Sequence, residues 1–210
     1  EDFDIEPWMP VLQKVIPLKV HAHRADDILT AIRIAKEFNI DITIDHGTEA
    51  HLVVDEVKKS GFPVIVGTDL TSRSKLEVQN MSFKTNKILA EAGVLIAVTT
   101  DHPVALIQYL PLCAGLAVKE GLPMEEGLKA ITINPAKICR VEQRVGSLEA
   151  GKDADIAIFT GNPMEIFTKT LYTIIDGEII YNGMREEESF SDTQGRTGKD
   201  MKKNEQGDNQ

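Results

Sequence analysis

Clustered positive charge is missing from this sequence. Against 33 Asp and Glu stand 23 Lys and Arg, a formal net charge of −10 with a pI near 5.0. Nucleic-acid recognition needs a basic face, and an anionic membrane surface repels an acidic chain, so neither partner is expected. Long apolar runs are missing too. None approaches the ~20 residues that cross a bilayer, and the acidic start Glu1-Asp2-Phe3-Asp4 is unlike a signal peptide. Cysteine is scarce: Cys113 and Cys139, without CxxC spacing, read as buried reduced thiols and fit a cytoplasmic setting. No G-x-S-x-G occurs and neither cysteine falls at a strand tip, which leaves nucleophilic acyl transfer with no residue to carry it. An initiating Met is also lacking, which reads as a processed or cut chain.

What is present is a regular alternation. With 42% apolar residues in 210, the chain can bury a core. The organising stretch is Val94 to Pro103, an apolar run that switches abruptly to Thr99, Thr100, Asp101 and His102. Such a run reads as a buried parallel strand whose C-terminal tip carries polar groups, and in α/β folds ligands gather at the carboxyl ends of strands. The same pattern precedes it three times, over residues 17–23, 41–46 and 62–67, each with a helical segment after it. Asp26 is the expected N-cap of the first of these helices, and His21 and His23, at i and i+2, fall on one strand face. Four strands alternating with helices predict a parallel sheet over residues 1–144.

From Leu122 the character changes. Pro123 opens one short helix, and Asn134-Pro135 caps and opens another. Residues 145–184 predict a small antiparallel β segment, with a hairpin turning on Asp176-Gly177. Residues 185–210, with only Phe190 and Met201 as large apolar groups and a solvated run at Glu186-Glu187-Glu188, are expected to be disordered.

Taken together, Val20-His21-Ala22-His23-Arg24-Ala25-Asp26-Asp27, Ile44-Asp45-His46-Gly47, Thr99-Thr100-Asp101-His102-Pro103, Ile133-Asn134-Pro135-Ala136 and Val145-Gly146-Ser147-Leu148-Glu149-Ala150-Gly151-Lys152 resemble the C-terminal half of the amidohydrolase superfamily. The branch they are most similar to holds imidazolonepropionase and prolidase-like enzymes, and the likeness covers about residues 5 to 182. It implies strands 5 to 8 of a (β/α)8 TIM-type barrel with part of a small β-sandwich domain. It implies a divalent metal, zinc first, as one ion or two. Carried over residue by residue, His21 matches the strand 5 ligand, His46 the strand 6 histidine and Asp101 the strand 8 aspartate. The alternative that His21 and His23 are the family's strand 1 pair fails, because only four βα units follow them.

The chemistry that the resemblance implies is hydrolysis of C–N bonds in a small amide, dipeptide or cyclic amide. Asp101 would be general base and then general acid, and His46 would bind a second metal or polarise the scissile carbonyl. His23, His102, Thr68 and Asp69 are expected on loops at the same face, facing substrate. For Asp69 a turn role weighs equally, and for Asp101 the alternative is a cap of the next helix. His51 reads as a surface residue, and Arg24 and Arg73 as carboxylate readers or plain surface charges. Strands 1 to 4 of the pattern are absent from these residues. That predicts two unpaired sheet edges, a need for the missing N-terminal half, and self-association as a homo-oligomer. The competing reading is a non-catalytic half-barrel acting as a subunit or binding module.

Overall fold

The computed structural model describes residues 6–184, so the tail expected to be disordered lies outside the described residues. A 3-10 turn at Glu6–Trp8 leads into α1 (Met9–Leu12), which has Pro10 in its first turn. Four strand-and-helix units follow: β1 (Leu18–Ala22) with α2 (Ala25–Glu37), β2 (Ile42–His46) with α3 (Val54–Ser60), β3 (Val64–Val66) with α4 (Lys84–Glu91), and β4 (Ile96–Val98) with α5 (Leu110–Lys119). Two short helices, α6 (Met124–Lys129) and α7 (Ile133–Ile138), precede β5 (Ile156–Phe159), β6 (Thr170–Ile175) and β7 (Glu178–Asn182). The chain divides into two compact units, one running through Lys152 and taking in Met164–Ile166, the other Asp153–Pro163 and Phe167 onward.

In the first unit the sheet is parallel with order β1-β2-β3-β4. Consecutive strands are neighbours because each connection crosses over through a helix. β2 is buried along Ile42, Thr43 and Ile44, as a central strand covered on both faces must be. Helix α2 turns Ile28, Ala31, Ile32 and Ala35 inward at helical spacing, and Ile28, Ile44, Val57, Val64 and Leu89 are all 0% exposed.

Several local expectations are revised. Asp26 does not cap α2: it lies in the first turn, paired with Arg24, and the Ala25 amide is met at 2.8 Å by Glu49 Oε2 from another segment. Asn134 does not cap α7 either. It is inside the helix and buried, and its Nδ2 donates to the Ile96 carbonyl at 3.0 Å. Together with Val98 N–H donating to the Ala130 carbonyl at 2.9 Å, this satisfies the outer edge of β4. Of the two sheet edges expected to be open, only that of β1 has no partner among the described residues. Cys113 is buried as expected, but Cys139 is exposed. His51 is half-buried rather than on the surface, its Nδ1 3.0 Å from Thr85 Oγ1.

Beyond β3 the chain directs Asp69 toward α4, where Asn86 Nδ2 donates to it at 3.4 Å. Burial pushes the Asp69 carboxyl up to about 7. The Cys113 thiol of α5 rises to about 11, through its own burial and then the Asp69 charge. In the second unit β6 and β7 form the expected hairpin, with Asp176 and Gly177 both at positive φ (51° and 81°) as a two-residue loop matching strand twist requires. β5 adds to β6 antiparallel. Ile175, Ile179 and Ile180 stay exposed, since three strands cannot cover their own face.

Two outcomes are expected in urea unfolding. Ile44→Ala should cost about 2–5 kcal/mol, against less than about 0.5 kcal/mol for Leu148→Ala at a position 80% exposed. For Asp69 the folded state keeps a proton that the unfolded chain releases near pH 4. Its contribution is therefore present below about pH 4 and lost as the pH rises through about 7. Asp69→Asn should accordingly stabilise the chain at pH 8, on the order of 1–3 kcal/mol, and not at pH 4. An equal difference at both pH values would contradict this account.

Candidate metal centre

The register of the sheet brings the strand tips into a row. Ala22 pairs with His46, His46 with Val66, and Val66 with Val98. Because Ala22 points into the core, His21 and His23 on either side of it stand on the opposite face and flank His46. The ring centroids are 4.7 Å apart for His21 and His23, 4.4 Å for His21 and His46, and 4.6 Å for His23 and His46. One ligand nitrogen from each of the three lies within 4.8 Å of the others, the group of His, Cys, Asp or Glu atoms so gathered among the described residues. His23, expected to face substrate, is thus part of the histidine group. Asp101, expected as a ligand, is not.

Two of the rings are held from behind. His46 Nδ1 lies 2.7 Å from the Gly67 carbonyl. A carbonyl only accepts, so Nδ1–H is the donor. Gly67 has φ +121°, and a Cβ there would lie 2.5 Å from the Thr99 carbonyl oxygen, so only glycine presents its carbonyl in this way. His23 Nδ1 lies 2.7 Å from the hydroxyl of buried Thr48. Burial first, then the neighbouring His46 and His21, lower the His23 pKa to about 4, which leaves the ring neutral at pH 7. The chain behind these contacts turns sharply: His46 has φ +74° and Gly47 φ +52°, Gly47 N–H donates to the Ala22 carbonyl at 3.0 Å, and Glu49 N–H to the His23 carbonyl at 2.8 Å. That turn carries Thr48 under the His23 ring.

The remaining site candidates are spread along the same row. Asp101 is exposed in a turn, with φ +51° and its amide donating to Thr99 Oγ1 at 3.1 Å. It heads no helix, so the cap reading does not apply. His102 beside it is exposed. Thr68 is buried, and its hydroxyl has no hydrogen-bond partner among the described residues. Asp69 turns to Asn86. Arg24 donates from Nε and Nη2 to Asp26 at 3.0 and 3.3 Å, so its fork is occupied, and Arg73 Nη2 donates to the Met81 carbonyl at 2.8 Å. The sequence reading missed Thr48, Gly67 and Glu49. For the first two the signal was adjacency to a strand tip, in His46-Gly47-Thr48 and Val66-Gly67-Thr68.

As a donor set, three imidazoles suit zinc and its first-row neighbours, which prefer nitrogen, and not magnesium or calcium. Backing at Nδ1, as His23 and His46 have it, is the arrangement that fixes tautomer and aim in metal-ligating histidines. The residues present therefore fit a divalent transition metal.

The sequence profile of the amidohydrolase family matches residues 15–184. The crystal structure of an amidohydrolase from Thermotoga maritima is similar with a TM-score of 0.84 and 43% identity, covering 87% of this chain and 48% of that one. A Xaa-Pro dipeptidase with methionine bound in its active site is similar with a TM-score of 0.63 and 25% identity, over 81% of this chain and 46% of that one. Imidazolonepropionase of Syntrophobacter fumaroxidans is 43% identical over 76 residues, 35% of this chain and 18% of that protein. The chain spans about half the length of these solved structures and a smaller share of this curated relative. Its four βα units and three-stranded sheet are the C-terminal half of a (β/α)8 barrel with part of a small β domain. On the match over residues 15–184, the chain belongs to the amidohydrolase family.

Proposed function

We propose that this chain carries half of the active site of a metal-dependent hydrolase that cleaves C–N bonds in a small amide, dipeptide or cyclic amide. The observation that carries the reading is the histidine group at adjacent strand tips, with ring nitrogens within 4.8 Å, in a chain of this family. His21 and His46 are the proposed ligands, with Asp101 joining them, and zinc is the proposed ion. A divalent metal held there supplies the acidity that makes water a nucleophile near pH 7. Asp101 then takes the proton from water and returns it to the leaving amine. Its carboxylate suits that role because it has no ion pair or hydrogen bond among the described residues and stands on an exposed tip. His102 and the unpartnered Thr68 hydroxyl are the proposed substrate contacts, and His46 polarises the scissile carbonyl if it is not a ligand. The contact of Asp69 with Asn86 favours a structural role for that residue.

The names of the relatives support a substrate class: one acts on Xaa-Pro dipeptides, another is an imidazolonepropionase. The open edge of β1 supports a second half-barrel as partner, because an unpaired parallel edge invites a strand. No described helix is long and apolar enough to cross a membrane, and a cytoplasmic setting is proposed on the free thiols of Cys113 and Cys139.

Two measurements test this. Asp101→Asn in the protein that contains both barrel halves should lower kcat by at least ~10²-fold for an amide or dipeptide substrate while leaving the thermal midpoint unchanged, since losing an acid–base group costs on the order of 10²–10⁴; retained turnover would sink the reading. Light scattering of the 210-residue chain alone should report particles larger than the 23.2 kDa monomer, and a clean monomer would argue against the open edge as a docking surface.

A further inference from the structure

The excursion between β3 and α4, the start of α4 and the residue that follows α5 surround a cleft of about 500 Å³. Asp69, Arg73, Met81, Phe83, Lys84 and Glu120 are among its walls, and no member of the histidine group is. We propose that this cleft binds a small zwitterion, an α-amino acid with an apolar side chain, whose ammonium group meets Asp69 and whose carboxylate meets Arg73 and Lys84.

The charges of the walls carry this. Groups of both signs share the cleft, yet Asp69, Arg73, Lys84 and Glu120 form no ion pair among the described residues, with one another or with anything else. A ligand that carries both signs a few bonds apart matches such walls. A plain anion would meet the two carboxyls, and a plain amine the two cations. Arg73 spends only Nη2, on the Met81 carbonyl at 2.8 Å, and keeps the rest of its fork for a carboxylate. Asn86 Nδ2 donates to Asp69 Oδ2 at 3.4 Å and leaves Oδ1 open. Asn86 Oδ1 is buried and has no partner. An acceptor left unmet in that position calls for a donor, and an ammonium drawn to Asp69 has three N–H groups to share between the two side chains. Met81, 7% exposed, and Phe83 make up the apolar wall, which suits an aliphatic side chain.

Burial holds the Asp69 carboxyl at about 7. The groups that face it are Asn86 of α4, which does not titrate, and the Cys113 thiol of α5, raised to about 11. Asp69 therefore changes charge between pH 6 and pH 8 while the thiol does not. An ammonium binds the ionised carboxyl, so affinity should rise over that range by up to about tenfold.

The test is calorimetric titration of the 210-residue chain with L-leucine at pH 8, joined to NMR of the chain carrying methyl-labelled methionine. Leucine should bind at one equivalent with a Kd near or below about 1 mM, and should shift the Met81 methyl signal, assigned through Met81→Leu. Isocaproate, which lacks the ammonium, and isoamylamine, which lacks the carboxylate, should each bind at least about tenfold more weakly, the usual effect of losing a charge-assisted hydrogen bond. Asp69→Asn and Arg73→Gln should each weaken leucine binding by more than about tenfold, and Asp69→Asn should also remove its dependence on pH. Asp101→Asn should bind within about threefold of wild type. If Arg73→Gln disturbs folding, followed by far-UV circular dichroism, Lys84→Gln takes its place, since the Lys84 ammonium holds nothing else among the described residues. The proposal is overturned if leucine gives no binding heat up to about 10 mM, if isocaproate binds as tightly as leucine, if the Met81 signal does not move, or if Asp101→Asn abolishes binding and the cleft variants do not. None of these results bears on the hydrolase reading, which stands or falls on turnover by Asp101→Asn in the protein with both halves.

Discussion

Parallel strands lie about 4.8 Å apart in the direction of their hydrogen bonds, and that spacing is also the distance at which two imidazole rings touch. The centre described here follows from this coincidence. Pairing of Ala22 with His46 sets the β2 histidine between the two residues that flank Ala22, and its ring lies 4.4 Å from one and 4.6 Å from the other. A slip of one residue in the β1–β2 register would turn His21 and His23 to the core face and drive Ala22 outward. The apolar residues of β1 and β2, which fix that register by burial, thereby fix the geometry of the histidine group too.

Backbone conformation does the rest. At the tip of β2 the chain must reverse over the end of β1, and it does so with His46 and Gly47 both at positive φ. Histidine tolerates that region better than most side chains, and strain at a strand tip is common where a site is built. The reversal has two products: the His46 ring turns toward the Gly67 carbonyl, and the Thr48 hydroxyl comes under His23. Neither contact depends on a long side chain, so both ring positions rest on main-chain geometry.

How much of this was legible in the sequence depends on the range of the interaction. The four βα units and the hairpin at Asp176-Gly177 are local patterns, in which apolar runs end at turn residues, and they were readable as such. His21 and His46 were readable because they recur at successive strand tips. The share of His23 in the cluster was not, since it depends on register between strands, which the chain specifies only once folded. Glu49 as the partner of the α2 N-terminus was hidden in the same way: its target lies 24 residues earlier, while Asp26 offered a plausible local cap. Asn134-Pro135 carried a strong capping signal, and the side chain instead closes the edge of β4, a role set by tertiary contact.

Glu49 has a further consequence. Its two oxygens are used in different directions, Oε2 by the first amide of α2 and Oε1 by Asn80 Nδ2 at 2.8 Å, in the long excursion between β3 and α4. That excursion has little regular structure beyond a single turn at Leu76–Val78. It is nevertheless fastened to the residue next to Thr48, and so to the support of His23. The least regular segment of the first unit and its histidine group share one peptide link, and a displacement of the former reaches the latter without passing through the sheet.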